Sequence, residues 1–156
     1  MAITSESITT TPHTPSHLRV VIHRLRQRIN DLEAAAGDAT FWDGLAGENL
    51  AIGEAVYATA AGEPEKGLAT DLGTSRIIGI STTVVTAGNA AAIQTFGVVT
   101  KAGWALTPNS IYYLSKDTAG AITAIAPIAV GETVVVVGVA LSATELLLLL
   151  IPPILL

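Results

Sequence analysis

The sequence predicts a mainly β protein: an N-terminal extended arm and a short parallel trimeric coiled-coil helix, followed by a compact antiparallel β barrel or sandwich. Three observations carry this prediction. An apolar seam with a seven-residue step runs through residues 18–36, and short segments rich in Val, Ile, Thr and Tyr recur between Gly, Pro, Asn and Asp signals after residue 38. The third is composition: half of the 156 residues are hydrophobic, only 13% are charged, and the mean hydropathy is +0.56. A monomer of this size needs a mostly polar surface, so part of the apolar surface is expected between subunits.

The chain divides by pattern into an arm (residues 1–15), a helix (16–37) and a β domain (38–156). The arm, MAITSESITTTPHTP, has no apolar periodicity and is rich in Thr, Ser and Pro, which suits an extended docking segment. It lacks the basic start and apolar stretch of a secretory signal. Thr14 or Ser16 can cap the helix that follows, with Pro15 tolerated in its first turn.

The helix carries Leu18, Ile22, Leu25, Ile29, Leu32 and Ala36 at alternating steps of four and three. With Leu18 at d, Ile22 and Ile29 fall at a, and Leu25 and Leu32 at d. Arg28 at g and Glu33 at e flank Ile29 and Leu32, the Arg-apolar-x-x-apolar-Glu arrangement in which an arginine reaches a neighbouring chain's glutamate. The predicted trimer interface is therefore Leu18, Ile22, Leu25, Arg28, Ile29, Leu32 and Glu33. A single amphipathic helix lying on its own β domain would show a similar stripe. At 1.5 Å per residue the helix is roughly 28 Å long, too short to associate alone, so the β domain is expected to share the contact. Gly37 and Asp38 end it.

Strands are predicted at 55–59, 77–82, 90–94, 97–100, 111–115, 122–125 and 133–141, with turns at 62–67, 107–110 and 117–120. The final eleven residues, from Leu146, are apolar and broken by Pro152 and Pro153. They are too few to span a bilayer, which takes roughly 20 helical residues, and are expected to pack against a neighbouring subunit.

Candidate chemistry is sparse. The three histidines, His13, His17 and His23, lie before the β domain, and there is no cysteine, so a nucleophile or neutral-pH base is missing there. Pro15 spoils His13 and His17 as a helical metal pair. Glu63 with Glu65, and Asp38 with Asp43, read as solvated loop charge. Gly44, Gly47 and Gly53 do not follow a strand into a helix, as a phosphate loop must. The net charge of -5 disfavours nucleic acid. No catalytic, cofactor-binding or metal-ligating residue is predicted, and no cofactor. Trp42, Trp104, Tyr112 and Tyr113 would line a sugar-binding groove if exposed; among only seven aromatics, most are expected in the core.

The order of four segments is more specific than any one. Ala46-Gly47-Glu48-Asn49-Leu50-Ala51-Ile52-Gly53-Glu54-Ala55-Val56-Tyr57 is followed by Gly97-Val98-Val99 and then by Leu106-Thr107-Pro108-Asn109-Ser110-Ile111-Tyr112-Tyr113-Leu114-Ser115. The last is Val137-Gly138-Val139-Ala140-Leu141-Ser142-Ala143-Thr144-Glu145-Leu146-Leu147. Together they resemble the small β domain of tailed-bacteriophage virion proteins, found in tail or baseplate fibres and in capsid cement proteins. The resemblance implies a non-enzymatic virion protein partnered by itself and by baseplate or major capsid protein. A short fibre anchored by its arm is the first expectation, a cement protein the second, and a tip that binds host-surface glycan the third.

Overall fold

The computed structural model describes residue 25 and residues 40–156, and the chain divides into two compact units, residues 1–37 and 38–156. The predicted arm, and the predicted helix with its seam residues Leu18, Ile22, Arg28, Ile29, Leu32 and Glu33, lie outside the described residues apart from Leu25. That residue is helical and exposed.

Twelve strands make up the described part of the second unit: β1 (Thr40–Leu45), β2 (Ala55–Ala58), β3 (Pro64–Lys66), β4 (Ile77–Ser81), β5 (Ala90–Phe96), β6 (Val98–Thr100), β7 (Ile111–Leu114), β8 (Ile122–Thr123), β9 (Thr133–Val134), β10 (Val136–Ala140), β11 (Glu145–Leu148) and β12 (Ile154–Leu155). They form two five-stranded sheets, ordered β1-β5-β4-β2-β3 and β6-β11-β10-β7-β8, and a two-stranded ribbon of β12 and β9. Every pairing is antiparallel. Neither large sheet closes on itself, which corrects the barrel alternative: a barrel needs its first and last strands paired, and here β1 and β3, and β6 and β8, remain edges.

The two large sheets are the same unit built twice. In chain order, β1, β2, β3, β4 and β5 take the places that β6, β7, β8, β10 and β11 take in the second sheet. Ala55, Val56 and Tyr57 face Ile80, Gly79 and Ile77, just as Ile111, Tyr112 and Tyr113 face Val139, Gly138 and Val136. Both ladders shift register at the same place, stepping over Ile78 in one and Val137 in the other. Gly79 and Gly138 occupy one position, where an added Cβ would overlap the carbonyl oxygen of the next strand, Gln94 or Leu147. The entry loops match as well. Leu50 and Leu106 are both buried, and Gly53 and Asn109 both take left-handed φ, 86° and 63°. The amides of Gly53 and Asn109 donate to the carbonyls of Ser81 and Ala140.

The bulge explains the packing. Because the extra residue breaks the strict alternation of the strand, Ile77 and Ile80, three apart, join one core while Ile78 joins another. The main core lies between the sheets, with Ala55 and Ile80 from the first against Val99, Leu114, Val137, Leu146 and Leu148 from the second. A smaller core covers the other face of the first sheet, where Ala46, Leu50 and Val85 close over Val56, Ala91 and Ile93. Leu50 and Val85 exchange both backbone hydrogen bonds, at 2.8 and 2.9 Å, and Asn49 Oδ1 accepts from the Ala87 amide at 3.0 Å. The segment 46–54 is thus a clasp across the first sheet. At the join between the repeats, the buried Gln94 donates through Nε2 to the carbonyls of Phe96 and Val98, satisfying a corner formed by Gly97 at φ 88°.

Candidate interaction surface

The most unusual surface lies outside the repeat. Between β8 and β9, Ile125, Ile128 and Val130 are 80%, 86% and 95% exposed. Three β-branched side chains in water would be unremarkable in a loose loop, but this one is held. Glu132 Oε2 accepts from the amides of Ile128 and Ala129 at 3.1 and 3.0 Å, and its Oε1 lies 3.8 Å from Lys116 Nζ. Asp117, 2.7 Å from that ammonium, raises the Lys116 pKa above its usual value.

The loop runs into the C-terminal ribbon. Gly131 donates to the Leu156 carbonyl and Leu156 to the Glu132 carbonyl, both at 3.0 Å. Ile154, Leu155 and Leu156 are exposed, and β12 pairs on one side only among the described residues, leaving a free edge. Loop and ribbon together present an ordered, uncharged apolar margin. The apolar tail, expected to pack against a neighbouring subunit, divides into two parts. Glu145–Leu148 is an interior strand of this chain's own sheet, with Leu146 and Leu148 buried, because the i, i+2 leucines fall on the core face. Leu149, Ile151 and β12 remain exposed. Pro152 and Pro153 turn the chain there beside a groove of about 570 Å³ that Leu72, Arg76 and Ile77 also line.

The four aromatic candidates are not brought into one groove. Trp42 packs on the smaller core. Tyr113 lies mid-sheet between Val136 and Thr123. Only Trp104 and the buried Tyr112 share a cleft, of about 360 Å³, with Lys101, Glu54 and residues 118–122. The Thr107 amide donates to the Tyr112 hydroxyl at 2.9 Å.

Of the carboxylates, Glu65 accepts from the Tyr57 hydroxyl at 2.8 Å across β2 and β3. That bond, with burial and the charges of Glu65, Glu48 and Asp71, pushes the Tyr57 pKa up to about 12. Asp71 accepts from Thr74 and Gly73, which lowers its pKa. Glu63 and Asp43 are exposed, and Asp38 lies outside the described residues. No cluster of three or more His, Cys, Asp or Glu side chains suited to a metal ion occurs among the described residues, nor does a helix long and apolar enough to cross a membrane.

The strand predicted at 122–125 runs into the 124–131 loop at Ile125, whereas β8 ends at Thr123, and residues 126–132 carry no predicted element. No family model matches the chain, and no curated protein does.

Proposed function

We propose that the chain is a non-enzymatic structural protein of the tailed-phage particle, a homotrimer that serves as a short tail or baseplate fibre anchored through residues 1–15. The observation that carries this reading is the exposure of Ile125, Ile128 and Val130 on a loop pinned by Glu132. A side chain held rigidly in water at a hydrophobic cost gains only when a partner covers it. The heptad seam supplies a second contact, so stalk and β domain each contribute part of one assembly. The order of the motifs across residues 46–147, resembling virion β domains, supports the particle as the place where this assembly acts.

Light scattering tests the assembly. The full chain is expected to have the mass of three copies, and Ile29→Asp or the pair Ile128→Asp and Val130→Asp to reduce it, with the β-sheet circular dichroism retained. A monomeric parent chain, or variants that leave the mass unchanged, would overturn the trimer. Location is tested by gold-labelled antibody to the β domain on purified particles: label at the tail end is expected, and label over the shell would replace the fibre with a capsid cement role.

A further inference from the structure

The two repeats differ sharply at one place, and the difference leaves a cleft. In the first repeat the entry loop is sewn to the β2–β3 hairpin: Gly47 donates to the Pro64 carbonyl at 3.1 Å and the Lys66 amide to Glu48 Oε1 at 2.7 Å. The matching positions in the second repeat are Gly103 and Trp104. No hydrogen bond joins residues 102–106 to the hairpin at 115–122 among the described residues, and the cleft of about 360 Å³ stands where the first repeat is closed. Ala105, next to Trp104, is held at φ 56°, a left-handed conformation that a non-glycine residue adopts only under constraint and that gathers at ligand sites.

The chemistry of the cleft is specific. Lys101 Nζ sits 5.8 Å from the Trp104 ring centroid and has no carboxylate partner among the described residues. The Trp104 indole N–H likewise meets no acceptor there. Glu54, which also lines the cleft, is held by the Ala51 amide at 2.7 Å and by Lys66 at 3.4 Å, which fixes its carboxylate in place as an acceptor. Leu106 and Ala121 supply an apolar lining. A cationic donor, a neutral donor, a fixed acceptor and an apolar wall in a space near the lower end of ligand-cavity sizes, about 300–1,000 Å³, describe a small cyclic ligand with one negative charge.

We propose that this cleft binds a single acidic sugar residue, a pyranose bearing a carboxylate. The carboxylate pairs with the Lys101 ammonium, which the indole already holds by a cation–π contact. Ring hydroxyls, which both donate and accept, satisfy Glu54 and the indole N–H, and the C–H face lies on the apolar lining. All the lining residues belong to one chain, so the proposal is tested separately from the trimer.

With Trp42→Phe as the background, Trp104 is the sole indole of the chain, which has two tryptophans, and its fluorescence reports the site directly. Titration with sodium glucuronate or galacturonate is expected to give a saturable change. Glucose, which lacks the charge, and acetate, which lacks the ring, are each expected to bind at least tenfold more weakly. Lys101→Met is expected to weaken uronate binding at least tenfold with its thermal unfolding midpoint unchanged, and Thr118→Phe, which fills the exposed mouth without adding an indole, to abolish it. No saturable response to either uronate, an equal response to acetate, or an undiminished response in Lys101→Met would overturn the proposal.

Discussion

At the scale of single residues, the polar side chains of the β domain act mainly as fasteners. Glu132 pins an apolar loop, Asn49 and Glu48 fasten the clasp, Asp71 closes its own turn, and Glu65 takes the Tyr57 proton donor. The last has a consequence in alkali. The folded Tyr57 pKa of about 12 lies above the ordinary 10.0, so the bond favours the fold fully below pH 10, and its contribution is lost as pH rises through about 12. Denaturant unfolding across that window is expected to show stability falling with pH in the parent chain and falling less in Tyr57→Phe. Identical slopes would mean that the Tyr57–Glu65 bond does not couple to folding. Glu65 was legible in the sequence only as a turn carboxylate, because its partner lies across a hairpin whose register the sequence leaves open.

At the scale of elements, seven strand segments predicted from β-branched composition match strands of the structure, though 133–141 divides into β9 and β10 and most ends differ by one or two residues. Of the four missed strands, β1, β3, β11 and β12, three have a physical cause. β1 (TFWDGL) and β3 (PEK) are edge strands, where one free side tolerates Asp, Gly, Pro and Lys. β11 (ELLL) lacks β-branched residues and is made a strand by its neighbours β6 and β10. The glycines at the centre of β4 and β10 are the converse case, weak strand formers required by close approach. Gly79→Ala and Gly138→Ala are each expected to destabilise the domain by about 1–3 kcal/mol in denaturant unfolding, since the obstructing atom is a strand carbonyl that cannot yield without breaking the ladder. A tolerated alanine at either site would show that the two strands separate more easily than their pairing suggests.

At the scale of the whole molecule, the repeats are topologically alike but not independent. The main core takes side chains from both, so each sheet alone would leave half of that core in water. The β domain is expected to unfold in a single cooperative transition, with circular dichroism and Trp fluorescence superimposing, and fragments 38–97 and 98–156 are expected to remain unfolded when expressed apart. A folded fragment, or two separated transitions, would mean that each repeat carries its own core. The repeat also shows how one copy of a unit can keep a structural clasp while the other opens a cleft at the matching place.

The sequence by itself determined the mainly β class, most interior strands and the turns at 107–110 and 117–120, because β-branched spacing and Gly, Pro and Asn punctuation are local properties of the chain; in the predicted turn at 62–67, residues 64–66 are instead strand β3. It also marked the excess of apolar residues in the chain. Only the tertiary structure decided the rest. The repeat was present in the sequence as Ile77-Ile78-Gly79-Ile80-Ser81 beside Val136-Val137-Gly138-Val139-Ala140, yet so short a likeness acquires meaning only when both segments occupy the same place in equivalent sheets. Burial of Leu146 and Leu148, exposure of Ile128 and Val130, and the meeting of Lys101 with Trp104 beside Glu54 likewise depend on which distant strands become neighbours, and strand pairing across dozens of residues is set by the packed core, not by local preference.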